Sequence, residues 1–261
     1  MSEGLVVKTM EQYMAEGKQP EILFWVGSAG SYDDGAKKIS RAFARILNKA
    51  NVEFAVLGAE ESNTGDVAKR AGNEFLFQMQ AMMNIEVLNG YEIKRIVTCD
   101  PHSFNTLKNE YPRLGGNYDV VHHTEYIKEL LDSGRLSVEG KTYKEKRITF
   151  HDPCYLGRAN SVFDAPREVL KKTNASLLEM KRHRKTALCC GAGGSQMFKD
   201  PELGDMDINV MRTIDALETQ PDIIATGCPY CNTMMTDGIK AHEKEESVTV
   251  LDVAELIANS L

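Results

Sequence analysis

Short apolar runs alternate with longer segments of helical period along nearly the whole chain. That alternation restricts the fold to the α/β class, with strands joined by helical crossovers into a largely parallel sheet. Strands are predicted over 21–26, 52–57, 93–98, 120–122, 147–151, 176–180, 222–226 and 248–251. Helices are predicted over 36–49, 67–84, 103–110, 125–132, 167–172, 207–218, 232–240 and 253–259. In such a sheet the loops that follow the strands share one edge, and ligands gather there. Residues 1–20 read as an N-terminal helix and a polar link. The segment 134–146, with its Ser, Gly, Glu and Lys, reads as a joint between two halves, 21–133 and 147–261.

The two halves read as copies of one Rossmann-like unit, related by internal duplication. A shift of 126 residues lays Gly27-Ser28-Ala29-Gly30 near Pro153-Cys154-Tyr155-Leu156 and Asn63-Thr64-Gly65 on Cys189-Cys190-Gly191. A slightly larger shift with one insertion lays the segment from Cys99 to Thr106 over Cys228-Pro229-Tyr230-Cys231-Asn232-Thr233. Five of the six cysteines fall in the second copy, in the pattern C-x34-C-C-G-x36-C-x-x-C: Cys154, Cys189, Cys190, Cys228 and Cys231. All five follow predicted strands or lie in the loops there. In the first copy Ser28, Asn63, Thr64 and Ser103 are poor ligands for a soft metal. That half is therefore expected to be a structural mate that closes the pocket.

Thiolates are soft ligands suited to iron-sulfur clusters and to zinc, so the spacing points to a cofactor pocket and leaves both metals open. Gly191, Gly193 and Gly194 allow a sharp turn beside a bulky inorganic core, and their amides can donate to sulfur. Pro229 suits the first position of a helix whose amino terminus would favour thiolate at Cys228 and Cys231. His151, three residues before Cys154, is a candidate hydrogen-bond donor to a ligand sulfur. Arg158 and Lys199 are candidates to balance the charge of several thiolates. His102, His122 and His123 lie at strand ends of the first half, with Cys99 as a leftover thiol. Met197, Phe198, Met206, Met211, Met234 and Met235 are read as packing residues.

The composition fits a soluble α/β protein: 261 residues, 42% hydrophobic and 26% charged. Scarce cysteines gathered in one half argue for a reducing compartment and against a disulfide scaffold. The first residues show no signal-peptide pattern, and no stretch approaches the roughly 20 apolar residues of a membrane span, so a cytoplasmic location is expected. The net charge of −7 disfavours nucleic acid as a partner. The basic run Lys181-Arg182-His183-Arg184-Lys185 reads as a solvated loop. Gly27 and Gly30 lack the third glycine of a dinucleotide-binding turn.

HDPCYLGR at 151–158, CCGAGG at 189–194 and GCPYCNTM at 227–234 resemble the cysteine-rich CCG domain. That domain occurs in heterodisulfide reductases and in the iron-sulfur subunits of glycolate, glycerol-3-phosphate and lactate oxidising systems. WVGSAGSYD, TCDPHSFNTLKNEYP and GGNYDVVHHTEY in the first half are similar to the C-terminal part of bacterial iron-sulfur oxidoreductases that join such domains to a ferredoxin module and often a membrane anchor. The resemblance implies a 4Fe-4S cluster, of the noncubane kind, held by all five motif thiolates; some related subunits hold zinc instead. It also implies an oxidoreductase subunit, not a stand-alone enzyme, relaying electrons between a ferredoxin-type 4Fe-4S subunit and a flavin dehydrogenase, an electron-transfer flavoprotein or a membrane quinone-linked subunit. Through such a partner the chain would lie against the inner membrane. The alternatives are a heterodisulfide reductase-like enzyme and a zinc-stabilised scaffold without redox function.

Overall fold

Ile22–Trp25 is buried at every residue, as befits a strand covered on both faces in a parallel sheet. The computed structural model describes residues 4–200 and 203–261, and the chain divides into two units, Met1–Leu136 and Ser137–Leu261. The first unit contains β1 (Lys8–Thr9), α1 (Met10–Ala15), β2 (Ile22–Trp25), α2 (Gly27–Tyr32), α3 (Asp34–Lys49), β3 (Phe54–Val56), α4 (Asp66–Arg70), α5 (Glu74–Gly90), β4 (Arg95–Thr98), α6 (Pro101–Asn105), β5 (Asp119–His122) and α7 (His123–Asp132). Its sheet runs β1-β3-β2-β4-β5, with every pairing parallel. Asp33 caps α3 by accepting the Ala36 amide at 2.7 Å. That helix buries Ile39, Phe43, Ile46 and Leu47 along one stripe, the spacing of an amphipathic helix laid on a sheet.

The second unit contains β6 (Arg147–Phe150), α8 (Asp164–Lys171), β7 (Ser176–Leu178), α9 (Ile208–Leu217), β8 (Ile223–Thr226), α10 (Pro229–Ala241), β9 (Thr249–Asp252) and α11 (Val253–Ala258). Its parallel sheet runs β7-β6-β8-β9, which repeats the order β3-β2-β4-β5. The register repeats too. Leu23 pairs with Ile96 as Thr149 pairs with Ile224, and Thr98 pairs with His122 as Thr226 pairs with Asp252. Each half closes on a helix with a reciprocal cap, His122 with Glu125 and Asp252 with Glu255. The two halves are thus duplicated Rossmann-like α/β units.

Three local expectations are corrected. The helix expected over 67–84 is two helices, because Gly72 takes φ +85° after α4 and the Asn73 side chain caps α5 through the Leu76 amide. The helix expected over 103–110 starts earlier, at Pro101 under an Asp100 cap, and passes into a π-helical turn over Thr106–Glu110. In the N-terminal segment a two-residue strand pairs with β3 before the short helix α1, and the part of that prediction on residues 1–3 lies outside the described residues. Among the described residues no helix is long and apolar enough to cross a membrane.

Candidate metal centre

The strand order of the second unit reverses between β6 and β8, and the carboxyl ends of two such strands border the crevice where α/β sheets hold ligands. Cys154 lies in the turn that follows β6. Cys228 is the N-cap of α10 directly after β8, and Cys231 lies in the first turn of that helix with Pro229 at its start. Cys189 and Cys190 come from the long loop after β7. The Sγ atoms of Cys231 and Cys190 are 3.3 Å apart. The Cys189 thiol interacts with those of Cys154 and Cys190, and the Cys231 thiol with that of Cys228 as well. The five sulfurs therefore form one unbroken run of neighbours. Cys190, Cys228 and Cys231 are buried, Cys154 and Cys189 half-buried, and Met197, Tyr230 and Met234 pack against the group.

Crowding splits the acidities of these thiols. Hydrogen bonds from Cys154 and Cys190, joined by the Gly191 amide, hold the Cys189 thiol far below its ordinary range. The bond each makes toward Cys189 pushes Cys154 and Cys190 up, with burial adding to it, and Cys231 rises through its contacts with Cys190 and Cys228. One thiolate forms readily and further negative charge is resisted, so a cation is what would let the remaining sulfurs ionise together. Gly191 donates to Cys189 Sγ at 3.4 Å from a left-handed backbone, φ +91°, and a Cβ there would lie 3.3 Å from Cβ of Ile208. Gly194 is also left-handed, φ +67°, but open space surrounds its missing Cβ, and Gly193 sits in the turn between them.

His151 directly follows β6 and is buried, and one of its ring nitrogens lies within 4.8 Å of Cys190 Sγ and Cys231 Sγ. Burial first, and then the charge of Arg212, push its pKa down to about 3. Arg212 Nε donates to His151 Nδ1 at 3.0 Å. Next along the chain, Asp152 is clamped by Arg167 at 2.7 and 2.8 Å and accepts the Arg184 amide at 2.7 Å, which fixes the turn that carries Cys154. Arg158 donates to the carbonyl of Ala187 and so ties that turn to the loop bearing the cysteine pair. Neither Arg212 nor the Asp152–Arg167 clamp is legible from spacing, since each joins residues far apart in sequence.

The cysteine-rich domain family, CCG, matches this chain twice, over residues 22–108 and 148–236. The chain belongs to this family. The CCG match also places both halves in it, in agreement with the repeated strand order. A probable iron-sulfur-binding oxidoreductase, FadF, of Bacillus subtilis is 50% identical over 98% of this chain and 36% of its own length. The EtfAB:quinone oxidoreductase of Syntrophomonas wolfei is 44% identical over 93% of this chain and 34% of its own. A subunit of the dihydromethanophenazine:CoB–CoM heterodisulfide reductase of Methanosarcina barkeri is 33% identical over 92% of this chain and 59% of its own. The chain thus spans about a third of the first two proteins and under two thirds of the third.

In the first CCG copy the ligand positions are closed by hydrogen bonds. Asn63 donates to Ser28 Oγ at 3.0 Å, and Ser103 Oγ donates to Asp100 at 2.7 Å. Asp100 caps α6 ahead of Pro101 as Cys228 caps α10 ahead of Pro229. The alignment of Cys99 with Cys228 is therefore corrected by one residue: Asp100 holds the ligand position and Cys99 matches Gly227. His102 pairs with Asp66 at 3.0 Å, while His122 and His123 are buried with ring centroids 4.3 Å apart. His123 is held neutral by burial, its pKa near 3. Among the described residues the metal-capable group of three donors is His151, Cys190 and Cys231. Phe198 and Met206 are exposed and lie outside the core. The basic run is tied down, Arg182 to Asp215 and Arg184 to Asp164, both at 2.8 Å.

Proposed function

We propose that Cys154, Cys189, Cys190, Cys228 and Cys231 hold an iron-sulfur cluster, of the noncubane 4Fe-4S type, and that the chain is an electron-transfer subunit of a larger oxidoreductase. The single observation that carries this is the unbroken run of five sulfurs at the crevice between β6 and β8. The donor set fits: five thiols exceed the four that a closed zinc site or a cubane uses. When bound, such a cluster supplies one-electron transfer. The protein's own part is to strip water from the site with Met197, Tyr230 and Met234, and to orient Cys228 and Cys231 on the amino end of a thirteen-residue helix. The Gly191 amide donates to Cys189, the kind of bond that raises a cluster's potential.

The relatives' names support the wider reading. One is an EtfAB:quinone oxidoreductase, one belongs to a heterodisulfide reductase, and one, in Chromohalobacter salexigens, is a probable membrane-anchored ferredoxin. We take the chain to relay electrons between a ferredoxin-type centre and an electron-transfer flavoprotein or quinone-linked system, in the cytoplasm and at the membrane through its partner. Anaerobic reconstitution followed by iron, acid-labile sulfide and zinc analysis tests the centre. Iron with matching sulfide and a paramagnetic signal on redox cycling is the expected result. Stoichiometric zinc without sulfide would overturn it.

A further inference from the structure

Arg212 lies on α9, wholly enclosed, and its guanidinium is fixed at two points besides His151. Nη1 donates to the Arg182 carbonyl at 2.7 Å and to Asp215 Oδ2 at 3.0 Å. Asp215 is gripped in turn by Arg182, with two bonds of 2.8 Å. A guanidinium carries only donors, so the His151 Nδ1 that sits 3.0 Å from Arg212 Nε must offer its lone pair and carry no proton. The one proton of the neutral ring is then on Nε2. That atom is buried with no hydrogen-bond partner in the protein, and a buried donor left so costs on the order of 1–3 kcal/mol. With Nδ1 committed to Arg212, Nε2 is the nitrogen left to meet Cys190 and Cys231.

We propose that Arg212 is a positioning residue that locks His151 in the Nε2–H tautomer, making it a hydrogen-bond donor to the sulfurs of the centre and barring it from ligating a metal. Coordination through Nε2 needs that nitrogen's lone pair, and the proton would have to move to Nδ1, where it would face the Arg212 N–H head-on. The three-donor set His151, Cys190 and Cys231, which by residue type would suit zinc, is thereby disqualified as a ligand set. A donated N–H···S bond withdraws charge from sulfur and raises the potential of the group bound there. The effect on a cluster rests on the function proposed above; the tautomer does not.

Two measurements on the full chain separate these. In reduced, metal-free protein labelled with nitrogen-15 in histidine, two-bond proton–nitrogen correlation is expected to show His151 with a pyridine-type Nδ1 and a pyrrole-type Nε2. Arg212→Met is expected to lose that single-tautomer pattern and Arg212→Lys, which keeps a donor-only head, to retain it. A pyrrole-type Nδ1 in the unaltered protein overturns the lock whether or not either variant folds. In reconstituted protein His151→Phe is expected to lower the reduction potential at unchanged iron and sulfide content. Iron lost together with His151 would make it a ligand and overturn the proposal. Failure to incorporate iron and sulfide in a protein that shows the expected tautomer would defeat the cluster assignment and leave the lock standing.

Discussion

The thiolate favoured at Cys189 is stabilised by two neighbouring thiols and an amide, and the contacts that stabilise it raise Cys154 and Cys190. Losing that first thiolate should remove the anchor on which the other sulfurs assemble. Cys189→Ser is therefore expected to bring bound iron and sulfide to background after reconstitution, while Cys99→Ser, buried in the other unit, leaves both at wild-type levels. Metal loss in the Cys99 variant would mean that the first half supplies a ligand. Glu61 offers a second prediction at this scale. Burial raises its pKa to about 7, against the amides of Val26 and Gly27 at 3.0 and 2.6 Å. Between pH 4.5 and 7 the folded chain holds a proton that the unfolded chain releases, so this group's favourable contribution is complete below pH 4.5 and lost as pH rises to 7. The stability of the unaltered chain relative to Glu61→Gln should fall across that window by on the order of 3 kcal/mol, read from denaturant unfolding at several pH values. A difference that stays flat with pH would show that Glu61 titrates normally.

At the scale of elements, the contact of α9 with α10 connects the two sides of the centre, since α9 carries Arg212 and α10 carries Cys231. Gly238 permits the approach. A Cβ there would lie 2.0 Å from Thr213 Oγ1 and 3.0 Å from the Asn209 carbonyl, and the first clash involves a hydroxyl already bonded to that carbonyl at 2.8 Å. Gly238→Ala should thus cost about 1–3 kcal/mol in denaturant unfolding, although alanine in an open helix would gain about 1 kcal/mol. Adding Thr213→Ala should recover part of the loss and leave the part due to the backbone carbonyl. A stabilised Gly238→Ala would show that the helices are not in contact there. Elements of this kind are only partly legible in sequence. The apolar runs of β2, β4, β6 and β8 stand out because buried parallel strands need no polar face. The split of the 67–84 segment does not, because Gly72 and Asn73 act through backbone geometry while the apolar period continues across them. For the centre, the cysteine spacing is readable because each thiol follows a strand. The Arg212–His151 bond, by contrast, depends on how α9 packs on the end of β6.

The whole molecule sets two copies of one topology side by side in sequence but not in chemistry. In the first, Asn63 donates to Ser28 and Ser103 donates to Asp100, so hard oxygen and amide groups stand where the second copy has thiols. In the second, the corresponding positions hold thiols whose mutual contacts resist joint ionisation. The second is therefore the copy expected to gain free energy from a bound soft cation. By linkage, a ligand at a hundred times its dissociation constant stabilises the state that binds it by about 2.7 kcal/mol. Hydrogen exchange on the full chain, metal-free and reconstituted, should show that gain as slower exchange over 151–158, 187–194 and 226–234, with the amides of β2 through α7 unchanged. Those three segments carry every proposed ligand. Protection that rose equally in the first unit would mean that its hydrogen-bonded remnant responds to the centre after all, and the division of labour between the copies would have to be abandoned.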